Sequence, residues 1–193
     1  MIEFRELMAD DIEVRVQSVK EKGCVLLLYK NARVDMNILD KTVGPENWMR
    51  EHYECKGNLF CKVGINVNYK DPKADPLWVW KSDCGTESNT EAQKGEASDS
   101  FKRACFNWGI GRELYTSPFV WVPAGKCDIK DGRCYDKFAV EKIVIEDKRI
   151  VALSIINTSQ LTPKGNPVRA FLMQKAAPEA EHGEAYSYDK AKG

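Results

Sequence analysis

Residues Trp78–Tyr115 are the most informative segment of the chain and read WVWKSDCGTESNTEAQKGEASDSFKRACFNWGIGRELY. Its first residues alternate aromatic and small side chains, which predicts a short strand followed by a polar loop. A long helix is predicted to begin near Thr90, where Thr90-Glu91-Ala92-Gln93 fits a capping box, and to end at Gly109 or Gly111. We find no catalytic constellation in this segment. Its cationic, tryptophan-rich character favours the binding of an anionic polymer.

The predicted helix has one narrow apolar face with a cation on each side of it. Its apolar residues recur at i, i+4, i+7, i+8 and i+11, the spacing of a stripe that packs on another element. Lys102 and Arg103 project away from this stripe, where cations can meet the phosphates of a nucleic acid. The alternative is a solvated face on which they pair with Asp99 or Glu96. The stripe consists of Ala97, Phe101, Ala104, Cys105 and Trp108.

The rest of the chain predicts an α+β fold. Residues 12–19 and Cys24–Tyr29 have strand patterns, and the amphipathic pattern from Asn31 to Gly44 predicts a helix with Ala32, Met36, Leu39 and Val43 on its buried face. We expect this strand-helix unit to be joined to an antiparallel β-sheet that packs against the one long α-helix. Further strands are predicted at Trp48–Cys55, Leu59–Tyr69, Leu77–Lys81, Phe138–Glu146 and Arg149–Ile156.

The chain divides into a domain and a tail. Periodicity is lost from Thr162, and the residues after Ala176 are mostly polar and charged. Such segments bury too little apolar surface to fold. The predicted boundaries are therefore 1–160 for the domain and 161–193 for a polar, flexible C-terminal tail.

Composition narrows the class of protein. The chain has 29 basic and 29 acidic residues, so any basic surface must be local. Its seven cysteines form no CxxC pair and have no histidine at ligand spacing, which predicts reduced thiols and no metal site or other cofactor. We find no secretory or membrane-spanning segment. These features predict a soluble, cytoplasmic protein that does not associate with membranes.

Other motifs have ordinary structural interpretations. The five tryptophans could stack on bases, although aromatic residues at strand spacing usually belong to the core. Gly109-Ile110-Gly111-Arg112 follows a helix, so it fits a helix end better than a phosphate-binding loop. No GxxxxGK[ST] sequence occurs. In a metal-dependent nuclease, the carboxylates available to bind the divalent ion would be Asp83, Glu87 and Asp99.

Three segments resemble the Rad52/Rad22 family of single-strand annealing proteins, most closely its phage and prophage branch, often called Sak. They are Val25–Gly44 with the following Asn47-Trp48, the strand Trp78–Ser82, and Glu91–Tyr115 with its KGEASDSFKRACFNWGIGRELY. The last is the most specific, since it combines Lys-Gly, Ser-Asp-x-Phe-Lys-Arg-Ala and Trp-Gly-Ile-Gly-Arg in one window. The resemblance extends over roughly residues 12–157.

The resemblance implies DNA-binding residues. Lys102 and Arg103 match the family's lysine–arginine pair on the long helix, which holds backbone phosphates. Arg15 corresponds to a family arginine before the first core strand. A further family arginine falls at Phe106, a departure for which Arg112 or Lys94 would compensate. For the family's second, more exposed DNA site the candidates are Lys70, Lys73 and Lys81.

The resemblance also implies a function. We expect ATP-independent binding of single-stranded DNA and annealing of complementary strands in recombination or repair, by a protein that is not an enzyme. The protomer is expected to form a homo-oligomeric ring and to meet a recombinase or a single-strand binding protein, in the bacterial host cytoplasm if phage-encoded. The alternatives are a metal-dependent nuclease and a DNA-end-protecting or mediator protein of the same fold that does not anneal.

Overall fold

The computed structural model describes residues 2–86 and 92–175, and the side chains of all of these except residues 92–94. Within these ranges the chain forms two α-helices and eleven strands. The fold is α+β with antiparallel sheets, as predicted. The capping box at Thr90 and the tail residues 176–193 lie outside the described residues.

The first unit is a hairpin followed by a helix. Strands β1 (Glu13–Lys20) and β2 (Gly23–Tyr29) pair antiparallel, with Glu13 opposite Tyr29. Helix α1 (Ala32–Val43) begins at Asn31, whose side chain accepts hydrogen bonds from two backbone amides, and it ends at Gly44 with φ of 89°. The positive φ favours glycine, which explains why the helix stops there.

The buried face of α1 differs from the predicted one by a small rotation. Leu39 and Val43 are buried as expected, but Ala32 and Met36 are only half-buried. Their places in the core are taken by Val34, Asp35 and Ile38. A buried aspartate on this face broke the simple apolar pattern.

The second unit is a three-stranded antiparallel sheet covered by the long helix. Strands β3 (Trp48–Cys55), β4 (Asn58–Asn66) and β5 (Trp78–Cys84) lie in that order, with β4 in the centre. Helix α2 (Ala92–Trp108) packs across β4 and β5. The contact buries Phe101, Ala104 and Cys105 of the helix and Cys61, Val63 and Ile65 of the sheet.

The third unit extends the first hairpin into a six-stranded sheet. Its further strands are β6 (Val120–Pro123), β9 (Phe138–Glu146), β10 (Arg149–Leu161) and β11 (Pro167–Met173), in the order β11-β10-β9-β1-β2-β6. Strands β11 and β6 lie close to each other, so the sheet curls until it is nearly closed. A separate small hairpin consists of β7 (Ile129–Lys130) and β8 (Arg133–Cys134).

The β9–β10 hairpin matches its predicted position, and β11 corrects the prediction for the segment after Thr162. Residues Pro167–Met173 were expected to be irregular, but they pair with β10. Their alternating burial is interrupted after Ala170, where the pairing with β10 shifts register between Ile155 and Ile156. Pairing with a long neighbouring strand supplies the order that the local pattern lacks. In the described part of the chain, no helix is long and apolar enough to cross a membrane.

Candidate nucleic-acid interface

Helix α2 is held on the three-stranded sheet in one orientation. Trp108 Nε1 donates a hydrogen bond of 3.0 Å to the Val63 carbonyl, and His52 Nε2 lies 3.0 Å from the Ala97 carbonyl. The Glu96 carboxylate accepts from the amide of Leu59 at 2.9 Å. These bonds reinforce the buried stripe and turn the opposite face of the helix outward. Glu96 is therefore bound to the sheet backbone in this arrangement.

Lys102 lies on one side of the outward face. Its Nζ is 3.8 Å from Asp99 Oδ1, and 23% of its side chain is exposed. Asp99 also accepts hydrogen bonds from the backbone amide and hydroxyl of Thr86. The long Lys102–Asp99 distance and the partial exposure leave the ammonium group available to another anion.

Lys102 and Arg15 both lie close to one hydrogen-bonded tyrosine–glutamate pair. Glu13 accepts hydrogen bonds from the Tyr29 hydroxyl at 2.5 Å and the Asn31 amide at 2.7 Å. These bonds, with the nearby Lys102 charge, lower the pKa of Glu13. The Arg15 guanidinium lies over the Tyr29 ring, 5.2 Å from its centre. Two of the predicted DNA-binding cations therefore flank one Tyr29–Glu13 pair.

Arg15 also borders a cleft between β1 and β9. The cleft has a volume of about 680 Å³, and it is open because β1 and β9 pair only at their first residues. Its lining includes Glu13, Tyr29 and Lys137. The exposed Arg15 provides this cleft with a cationic side that sequence spacing alone did not predict.

Arg103 lies on the other side of α2, next to β5. Its Nε is 3.3 Å from Asp83 Oδ1, and 41% of the side chain is exposed. Partial burial lowers the pKa of Arg103. The charge of Asp83 and its hydrogen bond act in the opposite direction, and the pKa of Arg103 is raised above its ordinary value. Asp83 is also within 3.5 Å of the Asn107 amide, one turn further along the helix. Arg103 is thus held in place while part of its guanidinium faces solvent.

Lys81 and Arg112 both contact the C-terminal end of α2. Lys81 Nζ donates to the Asn107 carbonyl at 2.9 Å and lies 4.6 Å from the centre of the Trp108 ring. Arg112 donates to the carbonyls of Phe106 and Asn107. Cations at this end satisfy unpaired carbonyls and oppose the negative end of the helix dipole.

The same two cations line a second cleft of about 500 Å³ together with Lys70. Tyr69 and Trp108 form part of its apolar wall. Three cations beside two aromatic rings suit an anionic, aromatic ligand. Lys73, the remaining candidate for the second site, lies in a turn outside this lining, and the side chain of Lys94 lies outside the described residues.

A buried ion pair that sequence reasoning missed lies beneath Phe106. Lys30 Nζ is 4.4 Å from the centre of the Phe106 ring and bonds both oxygens of Asp35, at 2.5 and 2.6 Å. Both charged side chains are almost completely buried. Burial raises the pKa of Asp35 to about 6, although Lys30 acts in the opposite direction. The positive charge below Phe106 is therefore already neutralised by Asp35.

The tryptophans of β5 are more exposed than predicted. Trp78 and Trp80 project from the sheet face opposite α2, and 40% of Trp80 is exposed. Trp80 covers Gly64, where a Cβ atom would come within 2.8 Å of the indole ring. Lys62 lies over the same ring at 4.9 Å. This outer face of the three-stranded sheet is aromatic and partly open to solvent.

Two of the three carboxylates proposed for a nuclease, Asp83 and Asp99, lie in the part of the chain that the structure describes, and each is paired with a cation. Asp83 pairs with Arg103, and Asp99 pairs with Lys102 and Thr86. Glu87 lies outside the described residues. In residues 2–86 and 92–175, no three carboxylate or imidazole groups come close enough to share a metal ion.

Comparison with known proteins supports the resemblance found in the sequence. Residues 4–132, well over half of the chain, match the model of the "Rad52/22 family double-strand break repair protein". Strands β9, β10 and β11 lie beyond the matched residues. No solved structure matches the chain significantly.

One similar protein is the "Single-stranded DNA-binding protein DdrA" of Deinococcus radiodurans. It is 32% identical over 100 residues, which make up 51% of this chain and 44% of that protein. The chain therefore matches less than half the length of this relative.

Proposed function

This chain belongs to the Rad52/22 family of double-strand break repair proteins, and we propose that it binds single-stranded DNA and anneals complementary strands without ATP. The printed name of its relative DdrA describes a single-stranded DNA-binding protein. The observation that carries the proposal is the outward face of α2, where Lys102 and Arg103 lie within the family match and are partly exposed.

In this proposal the phosphates replace two carboxylates as partners of the cations. Asp99 holds Lys102 and Asp83 holds Arg103 when DNA is absent. Surface ion pairs of this kind contribute only about 0–1 kcal/mol, so a phosphate backbone can compete for both cations. Arg15, on the far side of the Tyr29–Glu13 pair, extends the path of the strand into the cleft between β1 and β9.

Annealing then requires no covalent chemistry by the protein. Contacts with phosphates position a strand but carry no sequence information, which leaves the bases free to be read by the complementary strand. Lys81, Arg112 and Lys70 offer a second cationic cleft at the end of α2. We assign to it the second strand or the continuation of the first, with Lys94 and Lys73 as further candidates.

A ring of protomers is part of the proposal. One protomer offers a few phosphate contacts, and repeating the same site side by side multiplies their effect on one strand. The partly exposed aromatic face with Trp78 and Trp80 is a suitable surface for such contacts, since aromatic residues are enriched at interfaces. We further propose the phage and prophage branch of the family, a bacterial host cytoplasm, and a recombinase or single-strand binding protein as partner.

The experiment that tests the proposal follows the pairing of two complementary fluorescent oligonucleotides without ATP. Wild type is compared with Lys102→Ala/Arg103→Ala at several salt concentrations. Each lost phosphate contact should reduce the slope of log affinity against log salt by about 0.7 for single strands. Wild type should accelerate pairing, and the double variant should not, with a slope smaller by about 1.4.

A charge-matched control separates the site from general electrostatics. Lys20 and Lys22 are exposed at the turn of the β1–β2 hairpin. Lys20 lies seven residues from Glu13 along β1, roughly 23 Å at about 3.3 Å per residue. Lys20→Ala/Lys22→Ala removes the same charge and should anneal like wild type. If both double variants lose activity equally, the assigned site is wrong.

The same samples distinguish the two alternatives. A nuclease would shorten the DNA during long incubation with Mg²⁺ or Mn²⁺, and unchanged length excludes it. A protein that only protects ends would bind tightly and block an exonuclease without accelerating pairing at saturating concentration. Binding without acceleration would therefore replace annealing with end protection.

A further inference from the structure

Three cysteines that are far apart in sequence come together beside the six-stranded sheet. Cys24 lies in β2, Cys127 follows β6 after one short turn, and Cys134 lies in β8. Their sulfur atoms are all within 4.8 Å of one another, and those of Cys24 and Cys127 are 3.8 Å apart. This cluster plays no part in the proposed DNA contacts.

Strand pairing and a tight turn hold the cluster in place. Cys24 is directly opposite Val122 in the β2–β6 pair, which brings the end of β6 and then Cys127 beside it. The chain next forms the β7–β8 hairpin, whose turn residues Asp131 and Gly132 have φ of 51° and 70°. This reversal brings Cys134 back beside the sulfur atoms of Cys24 and of Cys127, which precedes it by seven residues. The position of all three side chains is set by backbone structure.

The spacing of the sulfur atoms matches a tetrahedral thiolate site. With a Zn–S bond of about 2.3 Å, two thiolates on one tetrahedral zinc lie about 3.8 Å apart. Cys24 and Cys127 have this separation. A disulfide would need about 2.05 Å between the sulfur atoms, and a third thiol would then be left over.

Burial and access also fit a metal site. Cys24 and Cys127 are buried, whereas Cys134 is only half-buried and lines the cleft between β1 and β9 together with Asp136. One oxygen of Asp136 accepts three hydrogen bonds, from Asp128, Asn157 and Gln160, which fix this carboxylate at the cleft. An ion could reach the cluster from the cleft that Cys134 lines.

We propose that Cys24, Cys127 and Cys134 bind a thiophilic divalent cation, zinc foremost, with water as fourth ligand. Binding converts three thiols to three thiolates and releases three protons to solvent. The ion would tie the small β7–β8 hairpin to β2 and β6, next to the cleft that Arg15 borders. The sequence did not predict this site, because the three ligands have no CxxC or histidine spacing.

The test uses the full chain, prepared with a reductant and without a chelator. Cobalt titration should give thiolate-to-cobalt charge-transfer absorption and the visible bands of a tetrahedral site, saturating at one equivalent, and zinc should bleach them. Zinc at a hundred times its Kd should raise the Tm of the metal-free protein by about 5 to 10 °C. Neither readout depends on DNA binding.

Two variants show which thiols are responsible. Cys134→Ser, at the least buried ligand, should abolish saturation at one equivalent and the zinc-dependent rise in Tm. Cys55→Ser, at an exposed cysteine of β3, should change neither. The proposal is overturned if reduced wild type gives no tetrahedral cobalt spectrum. It is also overturned if Cys55→Ser removes the signal, or if mass analysis finds a Cys24–Cys127 disulfide in protein handled without oxygen.

Discussion

Replacing Asp99 with asparagine is expected to strengthen the binding of single-stranded DNA. Asp99 lies 3.8 Å from the Lys102 ammonium and competes with a phosphate for it. Asparagine has nearly the same shape, and its carbonyl oxygen can still accept the hydrogen bonds that Asp99 receives from Thr86. The substitution therefore removes one negative charge from the interface with little change in structure.

The size of the effect follows from the geometry of the pair. Two unit charges 3.8 Å apart attract by about 1 kcal/mol in water, and measured partly exposed pairs contribute about 0.2–1 kcal/mol. Releasing Lys102 from this pair should thus tighten DNA binding by a factor of about 1.4 to 5. The gain should shrink towards zero near 1 M salt, where the Debye length is about 3 Å.

The assay is fluorescence anisotropy with a labelled oligothymidine, measured at low and high salt without divalent ions. Glu21→Gln is the matched control, because Glu21 is exposed at the β1–β2 turn and its replacement changes net charge by the same amount. When Lys102→Ala is already present, adding Asp99→Asn should not increase the affinity for DNA, because the cation that Asp99 restrains is absent.

The outcome also separates the two main hypotheses. A nuclease that uses Asp99 would lose metal-dependent cleavage on this substitution, with no reason for tighter binding. If Asp99→Asn binds DNA more weakly than wild type, or no better than Glu21→Gln at low salt, the competition between Asp99 and phosphate for Lys102 is refuted.

Three further predictions concern stability, each measured as the free energy of unfolding in urea. The lowered pKa of Glu13 implies stabilisation that is present above the ordinary value of 4.5 and lost as pH falls through the lowered pKa. Glu13→Gln should therefore cost roughly 0.5 kcal/mol at pH 7, allowing for solvent screening, and nothing in strong acid; an equal loss at both pH values would contradict this. Lys30→Met should cost about 3–5 kcal/mol because it leaves the Asp35 charge buried alone, and adding Asp35→Leu should recover most of the loss; a double variant no better than the single one would refute the explanation. Arg112→Ala should cost about 1 kcal/mol through the carbonyls at the end of α2, with Arg112→Lys in between; an unchanged stability would show that these bonds contribute nothing.

Elements with strong local signals could be predicted from the sequence. The β9–β10 hairpin reverses at Asp147 and Lys148, with φ of 48° and 61°. Helix α1 is bounded by a capping asparagine and a glycine with positive φ. Helical periodicity also indicated that Lys102 and Arg103 lie beside the buried stripe of α2, where both side chains are partly exposed, and their role in DNA binding stays a prediction.

Features that depend on contacts between distant segments could not be predicted. The pairing of β1 with β9 and the order of β11 depend on the whole sheet. The burial of Lys30 and Asp35 depends on α2, and nothing in the local sequence shows that this helix packs against them. The three clustered cysteines come from three elements, so their proximity appears only after folding.

The extent of the six-stranded sheet has a practical consequence for fragments of this protein. The family match ends at residue 132, yet β9, β10 and β11 lie beyond it and form half of the sheet. A fragment cut after residue 132 would keep Lys102 and Arg103 but lose the two-residue pairing of β1 with β9. The edge of β1 would then be open along its whole length, with unpaired backbone groups available to a second copy. It would also remove core residues of the deleted strands, such as Leu153 and Ile155. We expect such a truncation to fail through aggregation, even though every assigned DNA-binding residue is retained.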